Sequence, residues 1–199
     1  MKVTKSLDKV FLYLSSDSNY KSAIKRRMIK IVLSSSVIRV FKSGSKNELS
    51  KCLLKIDLNQ LKNIKSQDQF DNWHSLNINN IYLSLRGEPE NLERLGKEGL
   101  KWGHSAKIFN LFIGHIVMMS PYFTSQEIKD VKFYLHVPLD SKVFAQLKSC
   151  GVKSVPGKIK AVTENTYKVI QETIRNSAST YNLPPIYFDD YAWTLDKVS

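Results

Sequence analysis

Apolar residues recur along most of the chain at the three- and four-residue spacing that is typical of amphipathic helices. On this pattern and on helix start and stop signals, helices are expected over 10–14, 22–41, 47–65, 69–86, 104–119, 141–149, 163–178 and 189–198. The 104–119 segment is apolar on most sides, which predicts a helix in the middle of a bundle. Residues 122–136 are interpreted as a connection.

The fold class predicted from this pattern is all-α. The chain has 199 residues, with only 8 Gly and 6 Pro, which argues against a strand-rich fold with many tight turns. We expect one helical unit over 1–199, with two possible lobes: basic N-terminal helices over 1–86 and the remainder over 87–199. No internal repeat or low-complexity segment interrupts it.

The charge is large and uneven. The net charge is +12 and the pI is near 9.6. Residues 1–65 hold 15 Lys and Arg against four acids, a net of +11, whereas the rest of the chain is nearly balanced at +1. Such a field attracts a polyanion, most commonly a nucleic acid. An anionic membrane surface, or solubility alone, would also account for it.

Several classes of protein are disfavoured. Cys52 and Cys150 have no metal-ligand spacing, the four histidines are scattered, and no phosphate-binding glycine loop or nucleophile elbow is present, so neither metal nor cofactor is expected. The start is unlike a signal peptide and the longest apolar run is too short to span a bilayer. We therefore expect a cytoplasmic, nucleoid-associated protein without a membrane partner.

Candidate chemistry centres on Lys107, which lies near the start of the central apolar helix. Burial and the positive end of the helix dipole both favour the neutral amine, the form that acts as a nucleophile. Asp140 comes later in the chain, at the start of the next clear helix, where folding could bring the two together. The simpler alternatives are a solvated lysine and an aspartate that only caps its helix.

Two short segments resemble the helix-hairpin-helix DNA glycosylase superfamily. The run Gly103-His104-Ser105-Ala106-Lys107-Ile108-Phe109-Asn110 stands where that family has Gly-x-Gly-x-Lys-Thr-Ala-Asn, and Val137-Pro138-Leu139-Asp140-Ser141 stands where it has its aspartate segment. The long insert between them, and an Asp189–Trp193 pair four residues apart, are most similar to the archaeal 8-oxoguanine glycosylase branch. Ser105 and Trp102 depart from the family's Gly and Pro.

The resemblance implies a two-lobed helical glycosylase fold and a monomeric enzyme that turns a damaged base, such as an oxidised purine, out of duplex DNA. Lys107 would form a Schiff base with the sugar, assisted by Asp140, and strand-nicking lyase chemistry would follow. The base pocket would contain Asp189, Trp193 and Trp73. The predicted DNA contacts are Lys101, Trp102, Gly103, His104, Ser105, Arg26 and Arg27.

Other functions fit the same residues. Tryptophans at helical spacing usually pack in a core, and arginine clusters are often only solvated surface. The main alternative is a non-catalytic DNA-binding or accessory protein of the same fold. A third is a helical interaction module whose basic N-terminal third binds an acidic partner. Steep salt dependence of DNA binding would separate the third from the first two, and a covalent intermediate would separate the first two.

Overall fold

A computed structural model of the chain describes residues 7–34, 43–86 and 101–194, and within these ranges the regular structure is helical, without strands. The all-α prediction is therefore confirmed. The α-helices described are α1 Leu7–Leu14, α2 Asp17–Ser34, α3 Ser43–Lys55, α4 Gln60–Asn63, α5 Gln67–Arg86, α6 Trp102–Met118, α7 Ser125–Val131, α8 Ser141–Ser149, α9 Glu164–Ser179 and α10 Tyr187–Thr194. A 3₁₀ turn occupies Ile159–Ala161, between α8 and α9.

Helix α6 is the centre of the molecule, as its all-round apolar pattern predicts. Its large side chains, including Phe109 and Phe112, are fully buried. Helices α2, α5, α7 and α9 and the 3₁₀ turn all contact it. Because residues from both halves of the chain surround α6, a single apolar core runs from Ile24 on α2 to Ala192 on α10.

The first turn of α6 packs against the 3₁₀ turn at very short range. A Cβ atom built on Gly103 would collide with the carbonyl oxygen of Ile159 and would lie 2.8 Å from the Cβ of Val162. Only a residue without a side chain allows this approach. Gly103 therefore has a packing role in the described structure.

Two helical predictions need correction. The segment 47–65 forms two helices rather than one. The Lys25 ammonium donates to the Leu54 and Ile56 carbonyls at the end of α3. The Asp57 carboxylate then accepts the Asn59 N–H at 3.0 Å, between the two helices. The segment 122–136, predicted as a connection, contains α7. A reciprocal pair of hydrogen bonds caps that helix: Thr124 N–H donates to the Glu127 carboxylate and Glu127 N–H to the Thr124 hydroxyl.

The remaining boundaries lie within a few residues of expectation. Helix α6 begins at residue 102 instead of about 104, and α10 begins at 187 instead of 189. The far ends of the predicted helices over 22–41 and 189–198, and the junction between the two possible lobes near residue 87, lie outside the described residues.

Candidate active site

The structure brings Lys107 and Asp140 together, although they are far apart in the sequence. Lys107 Nζ lies 3.2 Å from Asp140 Oδ2, and the two side chains are only 11% and 8% exposed. Lys107 is in the second turn of α6, and Asp140 immediately precedes α8. The pair therefore links the start of α6 to the start of α8 through two side chains that are almost fully removed from solvent.

The two oxygen atoms of Asp140 have different partners. Oδ1 accepts hydrogen bonds from the backbone N–H groups of Lys142, at 2.9 Å, and Val143, at 3.1 Å. This is the N-cap arrangement, and it fixes the carboxylate plane. Oδ2 is then directed at Lys107. The helix-cap interpretation and the catalytic interpretation of Asp140 are therefore compatible, since each uses a different atom.

A cavity of about 350 Å³ lies near this pair, although neither Lys107 nor Asp140 lines it; Asp189, which borders the cavity, interacts electrostatically with both. Asn110 and Gly114 line it from α6, where they follow Lys107 at the i+3 and i+7 positions of one helical face. Pro138, two residues before Asp140, lines another side. The cavity is at the lower end of the size range of small-molecule sites, about 300–1,000 Å³.

Asp189 borders the cavity from α10, and its carboxyl group is unusual. Burial and the nearby charges of Asp140 and Asp190 raise the pKa of Asp189 to about 7, while Lys107 acts in the opposite direction. Its Oδ1 atom is buried and makes no hydrogen bond within the described residues. Near neutral pH the group therefore exists as both acid and carboxylate, and one of its buried oxygen atoms has no partner among the described residues.

A second cavity, of about 430 Å³, adjoins the first one. The two share His115 and Met119 from the end of α6, and the second is also lined by Tyr20 and Arg27 from α2. His115 and Met119 therefore lie between the cavity bordered by Asp189 and the basic helix α2. Arg26 and Arg27 are both exposed there, as a contact with a polyanion would require.

No protein-family model, curated protein or solved structure matches the chain. The site is therefore interpreted from its own geometry. Among the described residues, no group of three or more His, Cys, Asp and Glu side chains could hold a metal ion. None of the helices over these ranges has the length and apolar character needed to cross a membrane.

The two tryptophans predicted for a base pocket occupy different environments. Trp73 is 8% exposed and packs on Phe109, with ring centroids 5.4 Å apart, so its assignment to the pocket is corrected to a core role. It does not line the cavity beside Asp189. Trp193 is 50% exposed, four residues after Asp189 on α10, and its stacking role stays a prediction.

The residues predicted to form a DNA-contacting hairpin belong instead to the buried start of α6. Gly103, His104 and Ser105 are all buried, and burial lowers the pKa of His104. Contact of these residues with a phosphate stays a prediction, but the predicted hairpin is wrong, because the chain is already helical from Trp102. The physical reason is the close packing of the helix start on the 3₁₀ turn.

Trp102 and Lys101 are half-buried. The Trp102 indole N–H donates to Asn79 Oδ1 at 2.8 Å, and its ring meets the ring of Tyr167 edge-on. These contacts tie Trp102 to α5 and α9 and give it a packing role, whereas its contact with DNA stays a prediction. Lys101 precedes the first residue of α6.

Sequence reasoning missed a buried polar network behind the site. Its central members are Asn110, His136, Tyr167 and Gln171, all of them at most 7% exposed. The Tyr167 hydroxyl lies 2.8 Å from Asn110 Nδ2 and 3.0 Å from His136 Nδ1. One signal was visible: Asn110 interrupts the most apolar run of the chain. The other three lie in later segments of the chain, and spacing alone could not connect them to it.

Proposed function

We propose that this protein is a DNA glycosylase with abasic-site lyase activity, in a two-lobed helical fold of the helix-hairpin-helix glycosylase type. The observation that carries the proposal is the buried Lys107–Asp140 pair near a cavity bordered by Asp189. A nucleophilic amine needs a nearby group to take its proton and a space for the group that leaves, and this arrangement has both.

The proposed reaction begins with proton transfer from the Lys107 ammonium to Asp140. The free amine then attacks C1′ of the sugar, the bond from C1′ to the base breaks, and its electron pair leaves with the base, which takes up a proton. Opening of the sugar ring gives a Schiff base on Lys107. Loss of a C2′ proton then breaks the bond from C3′ to the 3′ phosphate oxygen, which nicks the strand.

Asp189 is assigned to the expelled base. Its pKa of about 7 allows it to donate or accept a hydrogen bond, or to supply the proton that the departing base needs. A flipped base in the cavity would pair with the buried Oδ1 atom, which has no partner among the described residues. Trp193, half-exposed on the same helix, is the proposed stacking platform.

The DNA is proposed to run from the cavity bordered by Asp189, past His115 and Met119, toward α2, where Arg26 and Arg27 would contact phosphates. The net charge of +12 supports a polyanionic partner. Binding is proposed to involve a monomer of the protein and a duplex with one base turned out of the stack.

Strand nicking tests the proposal. Duplexes containing an abasic site, 8-oxoguanine or uracil are incubated with the unaltered protein, with Lys107→Gln and with Lys129→Gln, a control at an exposed position on α7. We expect the abasic duplex to be nicked by the unaltered and control proteins, with a loss of at least about 100-fold in Lys107→Gln.

The lesion panel identifies the class of base. Release of 8-oxoguanine and not uracil would assign the enzyme to oxidised purines. Salt-sensitive DNA binding without nicking of any substrate would overturn the enzymatic proposal in favour of a non-catalytic DNA-binding protein. Absence of DNA binding would overturn both.

A further inference from the structure

One buried side chain forms hydrogen bonds with both backbone polar groups of Val137, its N–H and its carbonyl oxygen. Gln171, on α9, is 2% exposed. Its Oε1 atom accepts the Val137 N–H at 2.9 Å, and its Nε2 atom donates to the Val137 carbonyl at 2.8 Å. A side-chain amide that satisfies the donor and the acceptor of the same residue fixes both the position and the rotation of the chain there.

Asn110, on α6, makes a third bond to the same residue. Its Nδ2 atom donates to the Val137 carbonyl at 3.1 Å and to the Tyr167 hydroxyl at 2.8 Å. Its Oδ1 atom faces His74 Nε2. Since burial lowers the pKa of His74 well below its usual range, the ring is neutral and its Nε2–H is the donor. Both the oxygen and the nitrogen of the Asn110 side-chain amide therefore form hydrogen bonds.

The position of Val137 makes these bonds relevant to the candidate active site. Asp140 follows three residues later, with Pro138 restricting the backbone between them. Lys107 precedes Asn110 by one helical turn. Asn110 therefore connects α6, which carries Lys107, to the segment that carries Asp140, and Gln171 fixes the same segment from α9.

We propose that Asn110 and Gln171 are positioning residues that hold Asp140 opposite Lys107 by fixing the Val137 backbone. The catalytic part of this inference rests on the proposed function of Lys107 and Asp140. A buried polar network is not needed to stabilise a core that apolar side chains would fill equally well. The bonds to Val137 instead define one geometry, which a nucleophile and its base require.

Gln171→Glu is the discriminating substitution. A neutral carboxylic acid has a carbonyl that accepts and a hydroxyl that donates, so it reproduces both bonds to Val137. The carboxylate has no donor and repels the Val137 carbonyl. Because burial raises the pKa of a carboxyl group, the exchange between these forms falls within a range of about pH 5–9, where assays are practical.

The first readout is the single-turnover rate of nicking at a preformed abasic site, expressed at each pH as the ratio of the variant to the unaltered protein. His74, His136, Tyr167, Asp71 and Arg175 belong to the same network and are present in both proteins, so the ratio reports the new carboxyl together with its effect on these groups. We expect a ratio within about threefold of one at low pH and a loss of about 10- to 100-fold at high pH. Asn165→Asp, an exposed exchange of the same chemistry on α9, should give a constant ratio.

The second readout does not depend on activity. The Val143 N–H is bonded to Asp140 Oδ1, so its hydrogen exchange reports whether that carboxylate is in place. We expect its protection in Gln171→Glu, relative to the unaltered protein, to fall over the same pH range as the nicking ratio. Circular dichroism at each pH restricts both comparisons to folded protein.

The two readouts separate the failures. A flat nicking ratio with an active unaltered protein overturns the positioning role. An inactive unaltered protein overturns the proposed function, and the Val143 exchange then decides whether Asn110 and Gln171 position Asp140. Loss of Val143 N–H protection in Gln171→Glu at every pH would mean that Gln171 has a purely structural role, and it would also overturn the inference.

Discussion

Asp140 shows how one residue serves the fold and the candidate site together. Its Oδ1 atom caps α8 and its Oδ2 atom pairs with Lys107. Because the cap orients the carboxylate, the helix start determines where the second oxygen lies. A substitution that keeps the cap but removes the charge can therefore separate the two tasks.

We predict that Asp140→Asn and Asp140→Ala both lose abasic-site nicking, since neither can accept the Lys107 proton. Both also lose the ion pair, but asparagine still caps α8. The alanine variant should therefore be less stable than the asparagine variant by about 1 kcal/mol in urea unfolding. Nicking at the unaltered rate by Asp140→Asn would mean that Asp140 is only a cap.

Asp189 makes stability depend on pH. Its pKa is about 7 in the folded protein and about 4 in the unfolded chain, so the folded state binds more protons between these values. The contribution of this group to the free energy of unfolding is thus highest below about pH 4 and declines as the pH rises through about 7.

Asp189→Asn removes that contribution. We predict that its free energy of unfolding, relative to the unaltered protein, increases from pH 5 to pH 8, by at most about 3 kcal/mol. Urea unfolding at several pH values measures it, and Asp130→Asn at an exposed site on α7 is the control. A difference that does not vary with pH would contradict the environment described for Asp189.

At the scale of the elements, α6 carries both Lys107, the proposed nucleophile, and one wall of the cavity. Lys107, Asn110 and Gly114 lie on one face, and a Cβ atom at Gly114 would meet nothing within 4 Å. A larger side chain there would extend into the cavity without colliding with backbone. An abasic site has no base to place in that cavity, whereas a damaged nucleotide does.

Gly114→Leu should therefore separate the two activities. We predict that the rate of base release falls at least about tenfold. The rate of abasic-site nicking should stay within about threefold of that of the unaltered protein. Gly114→Ala, which adds only a methyl group, is the matched control and should retain both. Replacing a helical glycine also favours the helix by up to about 1 kcal/mol, so unfolding would not explain the loss. Equal loss of both activities would contradict the location of the base.

The sequence predicts helices with a long periodic pattern of apolar residues better than elements whose ends are set by local hydrogen bonds. The all-round apolar character of 104–119 was sufficient to identify a central helix. Helix α7 was missed because it is short, and its signal is the Thr124–Glu127 capping pair. The separation of α3 from α4 depends on Lys25, which lies on α2, far from its carbonyl partners in the sequence, and could not be paired with them from the sequence.

The site was partly predictable. The positions of Lys107 and Asp140 at two helix starts allowed them to be paired across a long stretch of chain. The hairpin prediction failed because a glycine signals either a turn or a close contact, and at Gly103 the contact with the 3₁₀ turn decides. Gln171 carried no signal at all, since a glutamine in an amphipathic helix is ordinarily exposed.

At the scale of the whole molecule, the basic surface should control DNA affinity. Residues 1–65 carry a net charge of +11, and Arg26 and Arg27 are exposed on α2. Each phosphate contact that is lost should reduce the slope of log affinity against log salt by about 1. Because the cavity lined by Arg27 shares His115 and Met119 with the cavity bordered by Asp189, the proposed function places these contacts on α2.

We predict that Arg26→Ala and Arg27→Ala each lower this slope by about 1 for an undamaged duplex, in fluorescence anisotropy titrations at several salt concentrations. Lys148→Ala, exposed at the far end of α8, should leave it unchanged. Equal effects of all three substitutions would indicate a diffuse charge effect instead of a binding surface on α2.

The central claim is that Lys107 forms a covalent bond to DNA. The most direct measurement is borohydride trapping: the protein is incubated with an abasic-site duplex, the Schiff base is reduced to a stable amine, and the adduct is digested and located by mass spectrometry. The account predicts a covalent adduct on the peptide that contains Lys107, and no adduct with Lys107→Gln. Absence of an adduct, or its location on another amine, would contradict the account.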